Sequence, residues 1–195
     1  MKTFYGVRAI GLAAAALLIA GTSIGFAQAP KKKLSRCKDG EVSTVASFKY
    51  TAGQNLEFAV KASLTGKPGN AEAGLGWMAH RRLGNCLACH QISQVEKLAE
   101  KSPSLRVTAL NGKSANMPLG VHGKIGPPLD GVASRYTEGE LRLLIVNPKK
   151  AFPETIMPAF HRNTGFLRVF PDCEGKTILS AEQVEDVLAY LKTLK

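Results

Sequence analysis

GNCLACHQIS, residues 84–93, places two of the four cysteines of this chain three positions apart and follows the second directly with His90. Such a pair can be a redox disulfide, half of a zinc site or a point of covalent attachment. A redox pair is expected in a βαβ context, which the surrounding sequence lacks. A structural zinc site needs a second Cys or His pair, whereas Cys37 and Cys173 each stand alone. Covalent attachment is the use that accounts for all three residues.

The C-x-x-C-H pattern of Cys86, Cys89 and His90 is typical of covalent haem c attachment. Two intervening residues on a helical turn place the two thiols at the spacing of the two haem vinyl groups. The residue that follows then directs its imidazole at the iron as the proximal ligand. The sequence therefore predicts one covalent haem c, bonded to both cysteines, with His90 on the iron.

Three methionines after the signal segment are candidates for the second axial ligand of the iron. Met78 lies on a predicted helix, where an apolar methionine usually fills the core. Met117 precedes the Gly-Pro turn, and Met157 lies in TIMPAF, a loop between the third and last predicted helices. We favour Met157, and a His–Met pair would make the iron a low-spin electron-transfer centre with a raised reduction potential.

Three histidines are the alternative donors to the iron: His80, His122 and His161. Each is flanked by basic residues or glycine, which is typical of histidines at the protein surface. His161 is the strongest competitor because it lies four residues after Met157. A histidine there would also titrate near physiological pH and change the surface charge.

The first 29 residues have the pattern of a cleaved secretory signal. Two basic residues precede an uncharged run over 9–27, and Ala27-Gln28-Ala29 offers the small-x-small sequence that signal peptidase reads. We therefore predict export to the periplasm, with cleavage near Ala29. Pro30 and the three lysines at 31–33 leave an uncleaved membrane anchor as the alternative, because positive charge usually stays inside.

The formal net charge of the chain is +11. The signal segment, residues 1–29, contains two basic and no acidic residues, so its removal lowers the charge from +11 to +9. A compact exported protein this basic attracts acidic partners and steers their approach. No motif of basic residues interleaved with aromatics appears, and nucleic acid is not expected as a partner.

The chain after the signal divides into an N-terminal extension, residues 30–70, and a domain over 71–195. The extension has a β-leaning patch from Val42 to Tyr50 and ends in the turn sequence GKPGN. A helix is predicted to begin near Asn70 and to run through AEAGLGWMAHRRL. The thirty residues after His90 show no clear period and are predicted to form a loop.

Two later helices carry clear start signals. Thr137 with Glu140 and Ser180 with Gln183 are capping boxes. The first of these helices ends at Asn147-Pro148, because proline cannot continue a helix. The predicted class is all-α, with three or four short helices joined by long polar connections. Connections of this length in a small domain need something to organise them, and a packed prosthetic group is one answer.

Taken together, these motifs resemble a class I cytochrome c domain. They are the helix with Gly74 and Trp77, then CLACH, GPPLDGV, the methionine loop and a final helix with Tyr190. The resemblance implies that the first and last helices cross at a small residue. It also implies that the carbonyl of Pro127 accepts a hydrogen bond from Nδ1–H of His90 and fixes the imidazole ring.

Four stretches over residues 62–195 are similar to SoxX, the monohaem subunit family of SoxAX cytochromes in sulfur oxidation: SLTGKPGN, GNCLACHQIS, HGKIGPPLDGVASRY and NPKKAFPETIMPAFHR. The similarity implies a heterodimer with a SoxA-like haem subunit that carries the catalysis, which joins thiosulfate oxidatively to a carrier-protein cysteine. This chain would hold its iron by His90 and Met157 and contribute no catalytic residue. It would accept electrons from the SoxA haem and pass them to a downstream cytochrome c.

Two alternatives remain open at this point. A free-standing periplasmic monohaem carrier would have the same domain, and a haem enzyme such as a peroxidase would need an open sixth position on the iron. The two cysteines outside the motif, Cys37 and Cys173, are predicted to pair as a disulfide because leftover cysteines of an exported protein most simply do so.

Overall fold

The structure is a computed structural model that describes residues 48–101, 106–107, 117–118, 122–169 and 171–195. The helices in these ranges are α1 Ala71–Ala79, α2 Ser93–Lys101, α3 Val132–Arg135, α4 Glu138–Val146 and α5 Ala181–Leu191. Two short antiparallel hairpins pair β1 Thr51–Ala52 with β2 Phe58–Ala59 and β3 Arg106–Val107 with β4 Met117–Pro118. No helix among the described residues has the length and apolar character needed to cross a membrane. The predicted signal segment and Cys37 lie outside these ranges.

Helices α1 and α5 cross in close contact at Gly74. A Cβ atom at this position would overlap the carbonyl oxygen of Asp186 and lie 3.0 Å from Cβ of Tyr190. Beside the crossing, the indole Nε1–H of Trp77 donates to Oδ2 of Asp186 at 3.0 Å. The predicted crossing at a small residue is thus present. Helix α1 ends at Ala79, earlier than the sequence pattern predicted, and the chain continues as a turn.

Both capping boxes begin helices as predicted. The hydroxyl of Thr137 accepts from the backbone N–H of Glu140, whose carboxylate accepts from the N–H of Thr137 in return. Ser180 and Gln183 make the same reciprocal pair at the start of α5. These signals were readable because each uses groups only three residues apart.

The prediction of a loop after His90 was wrong, because residues 93–101 form helix α2. Its start is fixed from outside: the backbone N–H and the hydroxyl of Ser93 both donate to the carboxylate of Asp130, at 3.1 and 3.0 Å. Val95 and Ala99 bury one face against the core. Ile92, Val95 and Ala99 are buried and spaced by three and four residues, which is helical spacing, so the period is present in the sequence and the prediction missed it.

A buried ion pair joins α4, α5 and the N-terminal extension. Arg142 is 1% exposed, and its Nε and Nη2 bind Oε1 and Oε2 of Glu185 at 2.9 and 3.1 Å. Its Nη1 donates to the carbonyl oxygen of Val60 at 2.9 Å, and the backbone N–H of Leu64 donates to Glu185 at 2.8 Å. Residues 60–64 are therefore bound to the helical core by charged hydrogen bonds.

Candidate haem site

The two cysteines and the histidine of the motif lie on one tight turn. A 3-10 helix spans Cys86–Ala88 and follows Asn85, which has the left-handed φ of 48°. The backbone N–H groups of Cys89 and His90 both donate to the carbonyl oxygen of Cys86, at 3.1 and 2.9 Å. The helical turn expected from the sequence therefore holds the three side chains together.

The thiol of Cys86 has the wrong acidity for a redox pair. Burial raises its pKa to about 12, and the neighbouring Cys89 adds to the rise. Thiol–disulfide oxidoreductases need the opposite shift, because the thiolate is the attacking form. Neither Cys86 nor Cys89 forms a disulfide in the structure. These properties favour covalent attachment over thiol exchange.

The Gly-Pro segment runs alongside the motif and is bound to it by backbone hydrogen bonds. Three such bonds of 2.8–2.9 Å connect the two segments: Gly123 N to Leu87 O, Gly126 N to Cys89 O and Leu129 N to Gln91 O. A Cβ atom on Gly123 would overlap the carbonyl oxygen of Ala88, so only glycine allows the first of these contacts. The pairing carries Pro127 to the side of the His90 ring.

The orientation of the His90 ring is set by two neighbours, the carbonyl of Pro127 and the backbone at Gly126. Its Nδ1 lies 2.8 Å from the carbonyl oxygen of Pro127. Since a carbonyl oxygen only accepts, Nδ1 carries the proton and Nε2 keeps a free lone pair for a metal. A Cβ atom on Gly126 would lie 2.6 Å from Nδ1, so this glycine provides space for the ring. The sequence pattern predicts Gly126 only as part of a rigid turn, whereas the structure adds this second role beside His90.

Met157 lies at the border of the same core as the motif. Cys86, Leu129 and Met157 are partly buried and pack against one hydrophobic cluster. Met78, the competing methionine on α1, is 1% exposed and belongs to that cluster itself. The thiol pair, the imidazole with a free Nε2 and a thioether at the core border fit a covalently bound haem.

The expectation that the other histidines lie at the surface was wrong for two of them. His161 is fully buried, and its Nδ1 donates to the carbonyl oxygen of Leu179 at 2.8 Å. The side chain of His122 is 0% exposed, and its Nδ1 accepts from the backbone N–H of Ile92 at 3.1 Å. The flanking basic residues and glycines reflect only the local sequence. The two buried histidines instead bond to residues 18 and 30 positions away in the chain.

We expect His161 to make the protein less stable in mild acid. Burial lowers its pKa, although the hydrogen bond to Leu179 and the charges of Glu182 and Glu185 oppose the shift. As the pH falls below about 6.5, the imidazole of His161 binds a proton in the unfolded chain but stays neutral in the folded protein. The free energy of unfolding should then fall by up to about 1.4 kcal/mol per pH unit until the folded pKa is reached. Urea unfolding measured at successive pH values checks this.

His161→Asn removes the titrating ring and leaves an amide N–H near the position of Nδ1. The variant should show a shallower loss of stability below pH 6.5 than the wild type. His80→Asn is the matched control, because His80 is only partly buried. If wild type and His161→Asn lose stability with the same slope, His161 is not the group responsible.

The predicted disulfide between Cys37 and Cys173 stays a prediction. Cys173 ends the 3-10 turn Pro171–Cys173, and Cys37 lies outside the described residues.

Comparison with known proteins identifies the family of the chain. The family profile of Cytochrome c matches residues 79–195, which is more than half of the chain, and the chain belongs to the cytochrome c family. It therefore carries one covalently bound haem c, in a class I cytochrome c fold. Among solved structures it is similar to the crystal structure of SoxXA from P. pantotrophus, with 38% identity and a TM-score of 0.59. That match covers 79% of this chain and 98% of the other. The chain is thus a SoxX-like cytochrome c. No curated protein matches it significantly.

Proposed function

We propose that the chain is the monohaem electron-transfer subunit of a SoxAX-type complex, paired with a SoxA-like haem subunit. The observation that carries this is the 38% identity with a chain of the SoxXA structure over 98% of that chain's length. In the proposed complex, the SoxA-like subunit couples thiosulfate oxidatively to a carrier-protein cysteine. This chain takes the released electrons and passes them to a downstream cytochrome c. It works in the periplasm, after cleavage of the signal near Ala29.

The proposed iron ligands are His90 and Met157. Haem iron cycles between ferric and ferrous states, and His–Met ligation keeps it low-spin in both. The protein supplies His90 in the correct tautomer through the Pro127 carbonyl, and Met157 closes the sixth position. A closed sixth position leaves no place for a substrate on the iron, which separates this proposal from a peroxidase-like enzyme.

Apolar side chains are exposed next to both ligand segments. Ile125, directly before the Gly-Pro turn, is 70% exposed, and Ile156, directly before Met157, is 79% exposed. Lys124 and the pair Lys149–Lys150 are exposed in the same segments. Exposed apolar side chains with exposed basic residues in the same segments are typical of a protein-docking surface for an acidic partner. This surface is where we place the SoxA-like subunit.

Coexpression with a SoxA-like haem subunit tests the proposal. We expect a stable 1:1 complex on size-exclusion chromatography at physiological salt, with two distinct haem proteins in one peak. Replacing Ile125 and Ile156 together with aspartate should weaken the complex at least about tenfold, because two central apolar contacts become charged. Isothermal titration calorimetry with the purified subunits measures this loss.

Leu98→Asp is the matched control, since Leu98 is also an exposed apolar residue, 44% exposed, but lies on α2. It should leave the affinity within about twofold of the wild type, as expected for a substitution outside the contact. A chain that elutes alone in the presence of the SoxA-like subunit would instead favour the free-standing carrier.

A further inference from the structure

The described part of the N-terminal extension begins with a hairpin, residues 48–60, which is bound to α4 through one carboxylate. In its turn, the backbone N–H groups of Gln54, Asn55 and Leu56 all donate to Oε1 of Glu140, at 2.7, 2.5 and 2.8 Å. Three successive N–H groups around an anion form a concave binding site for negative charge. Because Glu140 is also the capping-box residue of α4, the hairpin is attached to the start of that helix.

Glu140 stays ionised in this setting. Burial alone would raise its pKa, but the hydrogen bonds from Leu56, Thr137, Gln54 and Asn55 outweigh burial and lower it well below the usual range. The charge that the turn surrounds is therefore present at neutral pH. Three backbone N–H bonds to one buried carboxylate attach the hairpin to the start of α4.

The other end of the hairpin contacts the beginning of the Met157 loop, which we define as residues 147–161. The side-chain amide of Asn147 donates to the hydroxyl of Tyr50 at 2.8 Å. The ammonium of Lys150 lies 3.8 Å from the ring centroid of Phe58 and 5.6 Å from that of Tyr50. Cation–π contacts at these distances are favourable. Two aromatic side chains of the hairpin thus bind the first turn of the loop.

The same hairpin contacts the end of the loop. The ring of Phe48 packs against the ring of His161, with centroids 6.4 Å apart, and meets Tyr50 edge-to-face at 5.6 Å. The guanidinium of Arg162 reaches back to the side-chain carbonyl of Asn147 at 3.4 Å. Backbone hydrogen bonds from Phe160 N–H to Ile145 O at 3.1 Å and from His161 N–H to Val146 O at 3.4 Å hold the two ends of the Met157 loop together. The aromatic pair Phe48–Tyr50 contacts both ends and adds to these bonds.

We propose that the hairpin of residues 48–60 is a clasp that holds the Met157 loop closed over the iron, with Phe48 and Tyr50 as its positioning residues. Inside the loop, Lys149 Nζ donates to the carbonyl oxygen of Thr155 at 2.7 Å, and the hydroxyl of Thr155 accepts from the N–H of Met157 at 3.2 Å. If the first residues of the loop moved, these hydrogen bonds would move Met157 with them. The clasp rests on the proposed ligation of the iron by Met157.

Displacement of Met157 by imidazole in the ferric holoprotein tests the clasp. An external ligand binds only when the loop opens, so its rate reports the population of the open loop. Tyr50→Phe removes one hydrogen bond and should speed imidazole binding about fivefold. Phe48→Ala removes the aromatic contact of the hairpin with His161 at the end of the loop and should speed imidazole binding about tenfold, roughly the effect of losing one partly buried aromatic contact. Loss of the sulfur-to-iron charge-transfer absorption follows the reaction.

Asn70→Ala is the matched control. It removes the side-chain cap of α1, which accepts from Ala73 N–H, and so lowers global stability without touching the loop or the hairpin. If Asn70→Ala speeds imidazole binding as much as Tyr50→Phe does, general destabilisation explains the effect and the clasp is rejected. Unchanged rates in both hairpin variants reject it as well.

A failure of the proposed Met157 ligation would give a different result. If Met157 does not bind the iron, the wild-type protein lacks the charge-transfer absorption from the start, and Met157→Ala leaves the ferric spectrum unchanged. If Met157 does bind the iron, the Met157→Ala variant binds imidazole without a loop-opening step, and its rate is the upper limit for the clasp variants.

Discussion

Arg142→Ala is expected to lower the free energy of unfolding by about 3–5 kcal/mol, the range measured when one partner of a buried ion pair is removed. The arginine is 1% exposed and Glu185 is 5% exposed, so the variant leaves a carboxylate in the core without its counter-ion. It also leaves the carbonyl oxygens of Val60 and Lys61 without the donor that Nη1 provides. Urea unfolding of the haem-loaded protein, followed by circular dichroism, measures the loss.

Lys192→Ala is the matched control, because Lys192, directly after α5, forms an exposed ion pair with Glu138, to which Arg142 also binds. Lys192 is 49% exposed and pairs with Glu138, which is 48% exposed. Its loss should cost about 0–1 kcal/mol, since solvent screens exposed pairs. Replacing Arg142 with methionine and Glu185 with leucine together should recover much of the stability, because neither charge of this pair is then left buried without its partner. Equal losses for Arg142→Ala and Lys192→Ala would show that the pair is not buried in solution.

Local signals in the sequence predicted much of the site. The C-x-x-C-H motif and the capping boxes at Thr137 and Ser180 each involve residues within four positions of one another. Backbone geometry over such a span leaves few arrangements, so the pattern determines the contact. The crossing of α1 and α5 was predictable for another reason: Gly74 is costly inside a helix, and close packing is a common cause for keeping it.

Long-range contacts could not be read in the same way. Glu140 was predicted as a capping residue, yet its second role, binding the turn at 54–56, joins residues more than eighty positions apart. The start of α2 depends on Asp130, and the burial of His161 depends on Leu179. In each case the deciding partner is polar, common in sequence and distant in the chain. No periodicity or spacing distinguishes such a partner from other residues of its type.

Gly126→Ala is expected to disturb the His90 ring directly, because the added methyl group would meet the ring itself. The added Cβ would lie 2.6 Å from Nδ1 of His90, and the ring must move away to accept it. The hydrogen bond from Nδ1–H to the Pro127 carbonyl, 2.8 Å in the structure, would then break. Loss of such a partner typically weakens a metal–ligand bond by about 10–100-fold. We expect a larger high-spin fraction in the optical spectrum and less covalent haem per chain by mass spectrometry.

Gly66→Ala is the control for general destabilisation by an alanine away from His90. Gly66 has a φ of +69°, and no heavy atom lies within 4 Å of a Cβ placed there. Alanine at that position costs on the order of 1–2 kcal/mol of backbone strain without contact with His90. The spin state and haem content of this variant should match the wild type. If Gly126→Ala and Gly66→Ala gave the same spectrum, the His90 site would accommodate the added methyl group. The Pro127 carbonyl would then no longer explain how the ring is oriented.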